Sequence, residues 1–238
     1  MTNPGDDASK ADLIRVVLAD ANVLYSRVLR DYLLYAADQE IIAITWSPQI
    51  LAETTDHLTR NVAGFDNAAA QRLVRAMNHA FPYAEINPGP EHLQMLAEVS
   101  LPDENDRHVL AAALAAEATV LCTSNTKDFP ASIADPFGID VVTPDQLLSR
   151  LVDEFQPQML AAHQKAVASL NGATDESTVR ALGRAGASKT AALMARLLGI
   201  DKPPHRAHIA EDQRPSTEKS HTPNPAPRRD ERERSDAR

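Results

Sequence analysis

The chain holds one cysteine, Cys122, in 238 residues. That excludes a disulfide framework and any thiolate metal cluster, and it suits a reducing compartment. Aromatic residues make up only 4%, so a core drawn from the 43% that are hydrophobic must rest mainly on Ala, Leu, Val and Ile. No uncharged apolar run approaches the ~18 residues that a membrane span needs. Residues 1–10 carry two acids and no apolar block, and so do not read as a secretory signal. These absences lead to the expectation of a soluble, cytoplasmic protein without a membrane partner. No Gly-x-Gly-x-x-Gly and no Gly-Lys-Thr/Ser element occurs, which excludes the usual dinucleotide and P-loop sites. Positive charge is also short: 24 Lys and Arg face 33 Asp and Glu, for a net charge of −9. An acidic chain is a poor non-specific binder of nucleic acid, because neutralising phosphates takes local positive charge. It leaves room for an enzyme that grips phosphates through metal ions.

The last stretch, 202–238, differs from the rest. It holds 6 of the 16 prolines, and its apolar residues are only Ala207, Ile209, Ala210, Ala226 and Ala237. Its 9 basic and 7 acidic residues contribute +2, which leaves −11 for the remainder. Such a segment cannot bury enough apolar surface to offset chain entropy, so a disordered tail is expected there. Residues 1–12 are expected to be a flexible N-terminus.

Between these ends, short apolar runs alternate with helical patterns. Strands are expected at 14–18, 41–45, 119–123 and 139–142, with a short one at 84–86. Helices are expected at 23–35, 47–60, 67–80, 90–99, 104–117 and 143–155. Ser47-Pro48 reads as an N-cap with proline in the first turn. Thr143-Pro144-Asp145-Gln146 has the form of a capping box. The alternation implies a parallel sheet with right-handed crossovers. After Pro157 only helical patterns remain, at 158–170, 176–182 and 188–198, stopped by Asn171-Gly172 and by Gly199. The expected organisation is an α/β domain over 13–151, a helical extension over 152–201, and the tail.

In parallel sheets, ligands bind beyond the carboxyl ends of the strands. Asp20 follows the first strand, and Asn125 and Asp128 follow the strand at 119–123. Asp103, Glu104 and Asp106 open a strongly apolar helix, where an acid is also favoured by the helix dipole alone. Glu53 lies mid-helix among Ile50, Leu51, Thr54 and Leu58, where a carboxylate is costly unless paired or liganded. Taken singly, each acid reads more readily as a cap or surface charge than as a ligand. Together they would repel and raise one another's pKa, a conflict that a divalent cation resolves. Oxygen-only ligation suits Mg2+ or Mn2+.

Four segments then carry a resemblance. They are Asp20-Ala21-Asn22-Val23-Leu24-Tyr25-Ser26, Ser47-Pro48-Gln49-Ile50-Leu51-Ala52-Glu53, Asp103-Glu104-Asn105-Asp106-Arg107-His108-Val109-Leu110 running on into Ala111-Ala112-Ala113, and Thr123-Ser124-Asn125-Thr126-Lys127-Asp128-Phe129-Pro130. In this order they resemble the PIN-domain ribonucleases, the fold of VapC-type toxins. The resemblance implies a PIN-like three-layer α/β/α fold with a central parallel sheet. It implies catalytic, metal-binding roles for Asp20, Glu53, Asp106 and Asp128, with Mg2+ or Mn2+ as cofactor. Whether Asp128 or the neutral Asn125 fills the fourth ligand position is open. Asn22, Ser26 and Thr123 would orient ligands or water, and Asp103 could compensate for a weak fourth acid. Arg107 and Lys127, with Arg27 and Arg30 nearby, could touch phosphates; a surface ion pair is the equal alternative for Arg107. His57 reads as solvent-facing and Trp46 as core; His108 could hydrogen-bond near the acids, though a place away from them is the favoured reading.

The resemblance implies hydrolysis of RNA phosphodiesters to 5′-phosphate and 3′-hydroxyl ends, by the toxin of a toxin–antitoxin pair. The implied partners are an RNA substrate, a cognate antitoxin and a second copy in a homodimer. The alternative is a catalytically inactive PIN-like module that binds RNA or protein. A phosphorylated receiver domain fails on placement, because the strand at 41–45 runs into Trp46-Ser47-Pro48 rather than an acid.

Overall fold

The computed structural model describes residues 15–200. The flexible N-terminus expected at 1–12 and the disordered tail expected at 202–238 lie outside the described residues. The four main apolar runs become strands β1 (Arg15–Ala19), β2 (Ile42–Thr45), β3 (Val120–Cys122) and β4 (Asp140–Val142). They form one parallel sheet in the order β2-β1-β3-β4. Val17, Leu18, Ala19, Leu121 and Cys122 are wholly buried, as a sheet covered by helices on both faces requires. The fold is the expected three-layer α/β/α arrangement.

Register fixes where the strands end. Leu18 pairs with Thr45 on one side and Leu121 on the other, and Ala19 pairs with Cys122. The chain steps from β1 outward to β2, then crosses back to lay β3 on β1's other flank. The strand order therefore reverses between β1 and β3, and a crevice opens at their carboxyl ends. The strand expected at 84–86 reduces to a parallel bridge between Trp46 and Glu85. Ala84 O accepts from Trp46 N at 3.0 Å, and Ile86 N donates to Trp46 O at 2.8 Å. Trp46 itself is buried core, its Nε1 donating to Asn78 Oδ1 at 3.0 Å.

Eleven α-helices surround the sheet among the described residues: α1 (Ala21–Leu24), α2 (Arg27–Asp38), α3 (Pro48–Asn61), α4 (Asn67–Ala80), α5 (Pro90–Met95), α6 (Arg107–Ala115), α7 (Ala131–Ala134), α8 (Pro144–Glu154), α9 (Gln156–Ala168), α10 (Asp175–Arg184) and α11 (Ser188–Leu198). None is long and apolar enough to cross a membrane. The expected caps are present. Ser47 Oγ accepts from Ile50 N, and Thr143 and Gln146 close a capping box on α8. Gly199 ends α11 at φ 71°, a left-handed conformation that glycine adopts without steric cost.

Three expected helices differ. The pattern at 23–35 breaks into α1 and α2 because Ser26 is extended, and Arg30 Nη1 takes up the Leu24 carbonyl freed at the break, at 2.6 Å. The helix expected at 90–99 stops at Met95, where Arg107 draws the carbonyls of Leu96 and Val99 into a turn. The first turn of the helix expected at 104–117 is a tighter three-residue turn, Glu104–Asp106, and Glu117 leaves the helix at φ 50°.

The helices after residue 151 are not peripheral. α9 lies along α2, and α10 and α11 pair and close over α8 and α9. Met159, Ala166, Val179, Leu182 and Met194 belong to the same buried apolar cluster as Leu18 and Leu121. Asp145 of α8 caps α11, accepting from Lys189 N at 3.0 Å and Thr190 N at 2.8 Å.

Candidate active site

Asp20 continues β1 by one residue, its N–H donating to Cys122 O at 3.0 Å. Its side chain is buried, and its Oδ2 accepts from Thr123 Oγ1 at 2.7 Å and from Asn22 Nδ2 at 2.5 Å. Asn22 Nδ2 also reaches Thr123 Oγ1 at 2.9 Å, while Asn22 Oδ1 accepts from Ser124 N at 2.8 Å. Asn125 N completes the set by donating to Thr123 Oγ1 at 3.0 Å. The ends of β1 and β3 are thus laced together around one carboxylate. Burial raises its pKa above the ordinary value. Hydrogen bonds from Thr123 and the Ala21 N–H counter that, Glu53's charge adds to the rise, and His108 opposes it.

Asp106 ends the turn that leads into α6 and is half-buried. Its carboxyl is pushed up to about 6, first by burial and then by the charges of Asp20, Asp103 and Asp128, against the pull of His108. Asp103 is exposed and caps this turn, its Oδ1 accepting from Asn105 N and Nδ2, both at 2.9 Å. Asp128 lies on a second tight turn, Thr126–Asp128, rooted by the buried Phe129. Asn125 Nδ2 donates to Asp128 Oδ2, so the two residues left open for the fourth position hold each other.

Glu53 corrects the sequence argument. It is exposed on α3, beside Gln49, whereas Ile50, Leu51, Thr54 and Leu58 form the buried face. The cost of burying its carboxylate therefore does not arise. It is nonetheless drawn toward the other acids: His108 Nε2 stands 3.1 Å from its Oε1.

Other expected positions fall elsewhere. Ser26 stands at the N-cap position of α2 without a side-chain hydrogen bond to it, and lines a cavity of 490 Å³ with Arg27, Asp31, Ala166, Leu170 and Arg184. Arg107 is engaged within the chain itself: its guanidinium binds Glu104 and the Leu96 and Val99 carbonyls. Its acid partner is Glu104, three residues before it, rather than Asp103. Arg27 donates to Asp31 and to Ser169 O, and Arg30 is buried against Leu24 O. Lys127 alone among these cations is exposed and in no ion pair among the described residues. His57 is not solvent-facing but half-buried, stacked on Tyr25 at 4.0 Å between ring centroids.

Among the described residues, no three His, Cys, Asp or Glu side chains stand close enough to hold one ion by themselves. The donor chemistry still fits a hard cation. The cluster is rich in carboxylate oxygen, and both Asp20 and Asp106 are shifted upward, first by burial and then by neighbouring negative charge, effects that a bound cation would offset. Mg2+ is commonly bound through one or two carboxylates, with water and substrate phosphate filling the remaining positions.

Residues 15–127 match the family model of the PIN domain. The match starts with β1 and takes in Asp20, Glu53, Asp106, Thr123 and Asn125; Asp128 is the next residue beyond it. No curated protein and no solved structure matches the chain. With its four-stranded parallel sheet, the α/β part of the chain has the PIN-domain fold, and PIN domains are in general nucleases.

Proposed function

We propose that this PIN-domain chain is a Mg2+- or Mn2+-dependent endoribonuclease, with residues 13–151 as the nuclease unit. The observation that carries the reading is the pair Asp20 and Asp106. They lie on elements far apart in sequence, yet the charge of Asp20 acts on Asp106, and both carboxyls are held above their ordinary range.

In this reading Asp20 and Asp106 hold the cation, with Glu53 and Asp128 beside them. A bound divalent ion stabilises charge on the scissile phosphate and lowers the pKa of water. Thr123 and Asn22 keep Asp20 turned toward the crevice through fixed hydrogen bonds, the kind of support that orients metal ligands. Lys127, exposed on the loop after β3, supplies positive charge to the RNA backbone. We extend the proposal to a VapC-type toxin held in check by an antitoxin, which the four sequence segments support.

A second reading, a PIN-like module that binds without cutting, is favoured by one observation. Asp128 is engaged by Asn125, and no three ligands stand ready for one ion among the described residues. One experiment separates the two. Purified protein is incubated with structured and single-stranded RNA in Mg2+, Mn2+ or EDTA, beside Asp20→Asn and Asp106→Asn. Metal-dependent cleavage lost in both variants supports the nuclease. Absence of cleavage together with absence of Mn2+ binding by calorimetry overturns it in favour of the module.

A further inference from the structure

We propose that the cavity between α2, α9 and α10 is a binding site for a small phosphate monoester of the size of a nucleoside monophosphate. Two of its three walls belong to helices beyond the residues that match the PIN-domain family. The proposal rests on no part of the nuclease reading.

The cavity has a volume of 490 Å³, within the roughly 300–1,000 Å³ usual for small-molecule sites. Its walls divide by chemistry. Ala166, Ala173, Ala181 and Ala185, with Val28 and Leu170, supply an apolar surface. The short alanine side chains let a flat ring lie close to the helices. The polar lining is Ser26, Arg27, Asp31, Ser177, Thr178 and Arg184.

Thr178 carries the argument. It is 8% exposed, and its hydroxyl enters no hydrogen bond among the described residues. The cap of α10 is closed between Thr174 and Ser177 and leaves the next residue out. A buried hydroxyl without a partner is costly, and this one lines the cavity. Ser26 repeats the pattern on the opposite wall. It stands at the N-cap position of α2, yet its side chain makes no cap bond.

Charge sets the sign of the ligand. Arg184 is exposed and enters no ion pair among the described residues. Arg27 engages Asp31 through Nε at 3.4 Å and the Ser169 carbonyl through Nη2 at 3.1 Å, which leaves Nη1. Asp31 is the cavity's one carboxylate, so the two guanidiniums outnumber it. Guanidinium forks match the oxygens of a terminal phosphate. A phosphate offers three such oxygens to share between α2 and α10, where a carboxylate offers two. Asp31 then accepts from a hydroxyl or amino group on the ligand's body. A nucleoside supplies both that donor and the flat ring for the alanine wall.

The test uses the full chain in EDTA, where the acids around Asp20 hold no metal and repel phosphate. Calorimetry measures binding of the 5′-nucleoside monophosphates, the matching nucleosides, inorganic phosphate and a short 5′-phosphorylated RNA, with thermal unfolding recorded for each variant. At least one monophosphate should bind, and its nucleoside and inorganic phosphate should each bind at least about tenfold more weakly. Arg184→Gln removes an exposed charge and should weaken binding about tenfold or more, and Thr178→Val, which keeps the shape, about 2–10-fold. Failure of every monophosphate to bind overturns the proposal, and so does a nucleoside or inorganic phosphate that binds as tightly as the ester. Unchanged affinity in a folded Arg184→Gln overturns it as well, since the ligand then sits elsewhere. Binding of the RNA without any monophosphate overturns it in favour of an RNA contact. If Thr178→Val fails to fold, Arg184→Gln decides. RNA cleavage by the same protein in Mg2+ or Mn2+ reports on the nuclease reading separately.

Discussion

Thr123 Oγ1 donates to Asp20 Oδ2 across 2.7 Å, joining the ends of two strands that are 103 residues apart in sequence. The same oxygen accepts from Asn22 Nδ2 and Asn125 N, so the hydroxyl is a hub rather than a single contact. Thr123→Val keeps the shape and removes the donor. Asp20 then loses the hydrogen bond that most lowers its pKa, and its protonated form gains. Mn2+ affinity should fall by about 10–100-fold, with Thr123→Ser retaining most of it. Calorimetry at fixed pH decides, and unchanged affinity in Thr123→Val would remove the hydroxyl from the argument.

Asp106 sets a pH dependence whose sign can be worked out. Its folded-state value of about 6 stands above the ordinary 3.8, so between roughly pH 4 and 6 the folded chain holds more protons than the unfolded one. Stability without metal should therefore fall as pH rises through that window and level off above it. Asp106→Asn removes the dependence. At neutral pH in EDTA the variant should be more stable than wild type by about 1 kcal/mol, as is common where function strains a site; Asp106 is only half-buried, which keeps the effect modest. Added Mn2+ should reverse the order, because the ion needs the deprotonated carboxylate. Thermal melts across this range, with and without Mn2+, read both signs.

Arg107 and Lys127 should behave oppositely. Arg107→Ala frees the Leu96 and Val99 carbonyls and the Glu104 carboxylate, and should cost about 2 kcal/mol of stability. It should leave the salt dependence of RNA binding unchanged. Lys127→Ala should leave stability within about 0.5 kcal/mol and reduce the slope of log affinity against log salt by about 1. Urea unfolding and RNA titration at several salt concentrations separate the two. A reduced slope in Arg107→Ala would restore it as a phosphate contact.

The strands were legible because each is a short apolar run between breaks, and a sheet buried on both faces needs no alternation to announce it. By the same logic Asp20 falls directly after β1, whereas Asp128 lies past β3 on a turn of its own. Glu53 was reached by a wrong route. Its neighbours Leu51 and Thr54 are buried, but a rotation of one position on α3 turns the carboxylate to solvent. The partners of Arg107 include carbonyls of a loop, and backbone acceptors leave no mark in a sequence. Ser26 is near Asp20 in the chain, yet it lines a cavity with residues of α9 and α10. His108 had a signal, its place two residues after Asp106, but a lone histidine on an apolar helix has no periodicity that marks its partner.

The helices after 151 bring a last prediction, because their attachment includes a buried polar chain. Tyr32 Oη lies 2.5 Å from His163 Nδ1, and His163 Nε2 lies 3.1 Å from Asp175 Oδ1. Tyr32 and His163 are fully buried, while Asp175 is partly open to water. With a carboxylate at one end, Nε2 carries the proton, and Nδ1 must accept from the tyrosine. Tyr32→Phe leaves that buried acceptor unsatisfied and should cost about 1–3 kcal/mol. Asp175→Asn keeps an acceptor for Nε2 and should cost less. Because α2 also carries this chain's contact with α9, the loss should surface as faster amide exchange in α9 and α10 and spare the crevice at Asp20. Hydrogen exchange of Tyr32→Phe beside its Mn2+ affinity gives the answer. Loosened α9 and α10 with metal affinity intact would make the extension a brace for α2, whereas weakened Mn2+ binding would tie it to the site itself.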